Sequence, residues 1–124
     1  MREVRRFLPF VAVLCTGVAL AGCNALGSSP RSDAQKRGAD LIIANGCGTC
    51  HAIPGIAGAR GNVGPPLDHI GTRVFIAGML RNTPDNMVRW LQNPQAVIPG
   101  NAMPNMNLND AQARDITAYL AELQ

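Results

Sequence analysis

Three segments of the chain repeat apolar residues at helical spacing, and each opens with a residue that can cap a helix. The first begins at Ser32, with Gln35 three residues later as in a capping box, and Gly46 is a natural stop. One face of this helix carries Ala34, Gly38, Leu41, Ile42 and Asn45. Glycine inside a helix costs up to about 1 kcal/mol, so Gly38 indicates a close approach by another helix.

Two further helices are predicted in the second half of the chain. The segment TPDNMVRWLQNP has Thr83 as its N-cap, proline at its first helical position and Asn-Pro at its end. Asn109 caps the last helix, with Gln112 at its third position. The apolar faces are Met87, Val88 and Leu91 in the earlier helix, and Ala113, Ile116, Thr117, Leu120 and Leu123 in the later one.

The segments between these helices predict long loops. Residues 54–66, PGIAGARGNVGPP, are dense in glycine and proline, and QAVIPGNAMPNMNL forms a second loop before Asn109. A short helix is predicted after Thr72, through RVFIAGML. No segment alternates convincingly enough to predict a strand. The expected class is therefore all-α, with loops that need something to pack against.

Residues 1–22 have the pattern of a secretory signal peptide. A basic head of Arg2, Arg5 and Arg6 precedes an apolar stretch from Phe7 to Leu20. Because a membrane span takes about 20 apolar residues, this stretch is too short for a comfortable one. The alternative is an uncleaved N-terminal anchor.

The signal ends in LAGC, which resembles the lipobox of bacterial lipoproteins. The resemblance implies cleavage before Cys23 and a diacylglycerol thioether on that cysteine. Residues 23–31 then form a lipidated tether, and the protein is expected in the bacterial periplasm, anchored to a membrane. The alternative is ordinary cleavage nearby, which would leave Cys23 as a free thiol.

Removal of the signal changes the charge. The full chain has a formal charge of +3, whereas residues 23–124 have eight Lys or Arg and seven Asp or Glu, hence +1. No basic stripe remains to indicate nucleic-acid binding. The expected mature domain is also poor in aromatic residues, and a core of this size would gain from a large buried cofactor.

The sequence GCGTCH contains the remaining two cysteines, Cys47 and Cys50, followed at once by His51. A thioredoxin-like dithiol needs a βαβ context that the pattern lacks. Zinc would need His69 as fourth ligand and two adjacent ligands in sequence, and a disulfide leaves the histidine unexplained. A covalently bound haem c fits each detail, because two thiols three residues apart can add to its vinyl groups while the next residue coordinates iron.

A second axial ligand is then expected on the other face of the haem. Met103 lies in PGNAMP, a rigid loop with proline on each side, and is the preferred candidate, with Met106 next. Met79 and Met87 fall in predicted helices, where core packing is the simpler interpretation. His69 is expected to be a solvated loop residue.

These motifs, in the order GADLIIANGCGTCH, GPPL, AMP and ARDITAYL, resemble class I cytochromes c across residues 33 to 123. The stretches HIGTR and NTPDNMVRWLQNPQAVIPGNAMPNMNL look like the cytochrome c domain fused to subunit II of some haem–copper oxidases. The chain departs from that arrangement, since it has no copper-binding domain and no transmembrane helices. The resemblance implies a class I cytochrome c fold for residues 32–124, with three to five helices and long loops around one covalent haem.

The family pattern also implies roles for particular residues. Pro65, or else Pro66, would accept a hydrogen bond from His51 Nδ1. Arg73 and Trp90 match positions that contact haem propionates; their plainer interpretations are a solvated charge and a core residue. Two residues, Gly38 and Tyr119, match the positions where the first and last helices of the family cross.

The function expected from this resemblance is single-electron transfer in a respiratory chain, because Met/His ligation leaves no open site on the iron. The donor would be a quinol-oxidising complex or a dehydrogenase, and the acceptor a terminal oxidase or reductase. No small-molecule substrate is expected. The alternatives are a haem peroxidase, a haem subunit of a periplasmic dehydrogenase or reductase complex, and a gas sensor. Partners are expected to dock around Ala52, Ile53 and the loop of Met103 and Pro104.

Overall fold

A computed structural model describes residues 31–124. The predicted signal peptide, the lipidation site Cys23 and the tether up to residue 30 lie outside the described residues. Within residues 31–124, no helix has both the length and the apolar character needed to cross a bilayer.

The described chain is built mainly of helices, which confirms the all-α class. In chain order the elements are α1 (Asp33–Ala44), a 3-10 turn (Cys47–Thr49), a second 3-10 turn (Ile70–Thr72), β1 (Phe75–Ile76), β2 (Leu80–Arg81), α2 (Pro84–Gln92), α3 (Pro94–Val97) and α4 (Asp110–Leu120). The predicted caps are confirmed: Ser32 and Asn109 each form a complete capping box, and the Thr83 side chain accepts from the Asn86 N–H.

The short helix predicted after Thr72 is wrong, because the chain there forms an antiparallel hairpin. Phe75 lies opposite Arg81, and Ile76 opposite Leu80. The turn between the strands has positive φ at Ala77 and Gly78. Glycine adopts this conformation easily, but alanine rarely does, so an Ala-Gly pair is a weak sequence signal for a hairpin.

The loop predicted after Asn93 contains one more helix. Asn93 ends α2, and its side chain also accepts a hydrogen bond of 3.0 Å from the Ala96 N–H, which starts α3. Pro94 at the first position of α3 needs no hydrogen-bond partner for its nitrogen. The Asn-Pro pair is therefore a junction between two helices as well as a stop.

Helices α1 and α4 cross at the two residues expected from the sequence. A methyl group at Gly38 would overlap the backbone carbonyl of Asp115 and touch Tyr119 Cβ. Glycine is thus required for the close approach of the two helices. Arg37 lies beside this crossing and forms two hydrogen bonds with the Asp115 carboxylate, of 2.7 and 2.9 Å. Helix α2 also packs against α4.

The apolar faces of the helices meet loop residues in one core. It comprises Ile42, Ile53, Ile56, Ala59, Ile70, Ile76, Met87, Val88, Leu91, Leu108, Ala113, Ile116, Tyr119 and Leu120. The Tyr119 hydroxyl donates a 2.7 Å hydrogen bond to the Pro54 carbonyl, which attaches α4 to the loop that follows the cysteine motif. The core therefore holds in place the two loops in which the candidate ligands lie.

Candidate functional site

The cysteine–histidine motif forms a tight turn directly after α1. The Cys47 carbonyl accepts hydrogen bonds from the N–H groups of Cys50, at 3.2 Å, and His51, at 3.0 Å. Both thiols are free and half-buried. Burial raises the pKa of the Cys47 thiol, so its neutral form predominates near pH 7 and Cys47 does not have the character of an activated thiol.

The ring of His51 is oriented by the loop opposite the turn. Its Nδ1 lies 2.7 Å from the carbonyl oxygen of Pro65. If Nδ1 carries the proton, as this contact requires, Nε2 is the free nitrogen with a lone pair for a metal. A side chain at Gly64 would collide with the imidazole, since an added Cβ would lie 2.6 Å from Nδ1 and 2.9 Å from Nε2.

Arg73 holds the segment that follows Pro65. One guanidinium nitrogen donates to the carbonyls of Pro66, at 2.7 Å, and Asp68, at 2.8 Å. The Pro66 carbonyl therefore has a different partner from that of Pro65. The backbone of Arg73 is fixed in turn by Asn82, whose amide donates to its carbonyl at 2.9 Å. A propionate contact by Arg73 remains a prediction.

Met103 lies half-buried in the loop between α3 and α4 and packs against the core. Its backbone is held by two side-chain amides that the sequence did not single out. Its N–H donates to Asn101 Oδ1 at 2.8 Å, and its carbonyl accepts from Gln95 Nε2 at 2.8 Å. The only available signal was the concentration of Asn and Gln around two prolines, which is common in loops.

The other ligand candidates have different surroundings. Met87 is a core residue, 5% exposed. Met79 lies at the hairpin and is 66% exposed. His69 is exposed and lies 3.9 Å from the Asp68 carboxylate. Met106 is half-buried against the core, as Met103 is, and remains the second candidate.

The residues of the site fit haem c better than zinc. Within residues 31–124, no three His, Cys, Asp or Glu side chains converge on a common point, so His69 does not join the motif. The motif instead supplies two unpaired thiols and an oriented imidazole, and a separate loop supplies a thioether. These are the groups needed for two thioether bonds and two axial ligands.

The expectation that Ile53 lines a docking surface is wrong. Ile53 is only 3% exposed and belongs to the core. The reason is that the loop turns back at this point: the Ile53 N–H donates to the Ala59 carbonyl, at 3.2 Å, and both residues belong to the core. Trp90 is half-buried and packs against the core from α2. Its contact with a propionate is still a prediction.

Comparison with known proteins identifies the class. The cytochrome c family model matches residues 35–124. Cytochrome c oxidase subunit 2 of Alkalihalophilus pseudofirmus is 33% identical, over 83% of this chain and 30% of that protein. The Bacillus subtilis subunit 2 is 31% identical, over 78% of this chain and 28% of that protein.

The chain thus spans less than a third of the length of these relatives. The matches confirm the resemblance to oxidase subunit II noted in the sequence, and the helical fold agrees with the class I arrangement. The family binds covalent haem c, and Cys47 and Cys50 fit its C-x-x-C-H motif. The chain belongs to the cytochrome c family.

Proposed function

We propose that this cytochrome c is a lipid-anchored, monohaem electron carrier that delivers electrons to a terminal oxidase. The observation that carries the proposal is the turn of Cys47, Cys50 and His51, with His51 Nδ1 bound to Pro65 and Nε2 left for iron. Bound haem c supplies one-electron chemistry between ferrous and ferric iron. The partner is inferred from the relatives, which are subunits of cytochrome c oxidases and of which this chain matches only one part.

The proposed roles combine the geometry of the site with the family pattern. Cys47 and Cys50 hold the cofactor covalently, and His51 is the proximal ligand. Met103 would supply the second ligand to the iron and would leave no open position for a substrate. Pro65 fixes the tautomer and the orientation of the His51 ring. This arrangement favours a carrier over a peroxidase, which needs an open position. A gas sensor, in which CO or NO displaces the sulfur ligand, is distinguished by CO binding.

Covalent attachment is tested by acid and organic-solvent extraction of the denatured, exported protein. We expect the haem to stay with the polypeptide, whereas release of the haem into the solvent would contradict thioether attachment.

Carbon monoxide tests the carrier assignment. The reduced protein should not bind it at neutral pH, and rapid binding would favour a sensor or peroxidase.

Replacement of Met103 by alanine tests the second ligand. Met103→Ala should remove the weak far-red sulfur-to-iron band of the ferric protein and lower the reduction potential, because a thioether stabilises reduced iron. Met106→Ala is the matched control, since it removes the other half-buried methionine of the same loop. Loss of the band in Met106→Ala alone would transfer the role to Met106.

The lipid anchor is tested at Cys23. Cys23→Ser should release the signal-cleaved protein from membranes or block its processing, as no other segment of the expected mature chain is apolar enough to anchor it. The measurement is fractionation of cells that express each form. Membrane retention of a processed Cys23→Ser protein would contradict lipid anchoring.

A further inference from the structure

Two side-chain amides organise the segment from α3 to the proposed ligand Met103. Gln95 lies in α3, and Asn101 lies in the loop two residues before Met103. Both are half-buried. Together they make six hydrogen bonds, and every partner is a backbone group of residues 94–103.

Gln95 uses both ends of its amide on this loop. Its Nε2 donates to the carbonyl of Asn101, at 2.9 Å, and to that of Met103, at 2.8 Å. Its Oε1 accepts from the Gly100 N–H at 3.0 Å. The three partners require the amide orientation described, since a flipped amide would set nitrogen against N–H and oxygen against two carbonyls.

The Asn101 side chain makes the other three of the six hydrogen bonds. Its Nδ2 donates to the carbonyls of Ile98, at 2.7 Å, and Pro94, at 3.1 Å. Its Oδ1 accepts from the Met103 N–H. Both backbone polar groups of Met103 are therefore bound by side chains, the N–H by Asn101 and the carbonyl by Gln95.

Side chains take this role because the loop cannot form regular backbone pairing. Pro99 and Pro104 lack an N–H, and Gly100 has a φ of 79°, outside the helical and extended regions. Unpaired backbone groups in a half-buried loop would be left to water, and the loop would then sample several conformations. The two amides select one of them.

We propose that Gln95 and Asn101 are positioning residues that set the strength of the axial bond from Met103. The inference rests on the proposed role of Met103 as ligand. The Met103 side chain is flexible, with three rotatable bonds, so its sulfur is placed only as well as its backbone is fixed. Because Gln95 ties that backbone to α3, the Met103 backbone cannot withdraw unless the amide contacts break. Loss of those contacts would therefore add a second route, besides side-chain rotation, by which the bond to iron opens.

Gln95→Glu is the sharpest test, because it preserves the shape of the side chain and removes both donors. A carboxylate can still accept from the Gly100 N–H, but it repels the carbonyls of Asn101 and Met103. Gln95→Ala removes all three contacts. Gln92→Glu is the matched control, because it is the same substitution at a glutamine outside this segment. The Gln92 side chain makes one long hydrogen bond, of 3.4 Å, to the Leu108 carbonyl.

The experiment uses the full-length holoprotein and measures imidazole binding to the ferric form, the far-red band and the reduction potential. We expect imidazole to bind about tenfold more tightly to both Gln95 variants, equal to about 1.4 kcal/mol. The far-red band and the potential should fall, with Gln95→Glu at least as affected as Gln95→Ala. Gln92→Glu should match the wild type in all three measurements.

The outcomes separate this inference from the proposed ligand. If Met103→Ala loses the band while both Gln95 variants keep wild-type imidazole affinity, band and potential, the positioning role is wrong and the ligand assignment stands. If Met103→Ala keeps the band, both are wrong. A drop in thermal stability with unchanged imidazole affinity would show a merely structural role and would also overturn the inference.

Discussion

At the scale of single residues, the environment of His51 shows how closely the loop after the motif fits the imidazole. Pro65 approaches Nδ1 from one side, and the backbone of Gly64 lies against the ring itself. The Gly64 N–H also donates to the Cys50 carbonyl, at 2.8 Å. The same two loop residues thus fix both the turn and the ring that it presents.

Replacement of Gly64 by alanine should displace His51 or the loop. The added methyl group would overlap the imidazole, and overpacking of this kind costs typically about 1–3 kcal/mol. We expect a lower midpoint of thermal unfolding and an altered ferric spectrum. Gly58→Ala is the control, because an added Cβ there meets nothing within 4 Å although φ is +77°. It should lower stability through backbone strain and leave the spectrum unchanged.

A spectrum of Gly64→Ala identical to the wild type would contradict the packing described for His51. An altered spectrum in Gly58→Ala would show that any destabilisation of the loop, rather than contact with the ring, perturbs the iron. The two glycines therefore separate a steric effect from a conformational one at positions only six residues apart.

At the scale of elements, the crossing of α1 and α4 joins the two ends of the domain. Gly38 permits the approach, and the Arg37–Asp115 pair lies at its edge. The hydrogen bonds from the Arg37 guanidinium hold the pKa of the Asp115 carboxyl below its ordinary value of 3.8. A carboxylate with a depressed pKa stabilises the folded state above its unfolded pKa, and this contribution is lost as the pH falls through the folded pKa.

We therefore expect Asp115→Asn to be less stable than the wild type at pH 7, with the difference shrinking once the pH falls below about 4. Urea unfolding of both proteins at pH 7 and at pH 3 measures this difference in the free energy of unfolding. Asp40→Asn is the control, because Asp40 is an exposed carboxylate on α1. It should leave the free energy of unfolding unchanged at both pH values. A difference that stays constant or grows on acidification would show that the Arg37 pair does not stabilise the crossing.

Elements also show where sequence patterns were sufficient. The three longer helices and their caps followed from local rules, because a cap and a helical face are set by residues three or four apart. The hairpin at Phe75 and helix α3 did not. Each depends on a few residues whose propensities are weak, and neighbouring elements decide between helix, strand and loop for such short segments.

At the scale of the whole molecule, the charge is small for a protein that must meet a redox partner. The full chain is +3 and the expected mature chain +1. The apolar side chains exposed among residues 31–124 include Val63, Val74, Phe75 and Met79. A weakly charged carrier on a membrane tether would rely on its raised local concentration more than on long-range steering.

Electron transfer to a purified oxidase should accordingly depend weakly on ionic strength. With an unlipidated, soluble form, we expect the rate to change by no more than about threefold across a salt series, whereas steered associations fall by about tenfold or more. The exposed Arg60 and Arg81 are natural probes, and their replacement by glutamine should have little effect. A steep fall with salt, or a large effect of either substitution, would reveal a local basic docking patch.

The sequence by itself determined the three longer helices and the covalent haem motif, because each rests on residues that are adjacent or one helical turn apart. The family followed from the order of several such motifs along the chain. The C-x-x-C-H spacing has one well-fitting chemical interpretation, and the capping boxes at Ser32 and Asn109 have one structural interpretation. Even a close approach by another helix was signalled locally, by Gly38 in a helix that otherwise disfavours glycine, whereas α4 as the partner was implied by the family resemblance.

The tertiary structure alone decided the distant contacts that no motif indicates. It set Gly64 against the His51 ring, buried Ile53 where an exposed residue was expected, and brought Gln95 and Asn101 onto the backbone of Met103. These contacts depend on how loops fold back over the core. The reason they escape local rules is physical: a loop backbone takes whichever hydrogen-bond partners the packed molecule brings within reach.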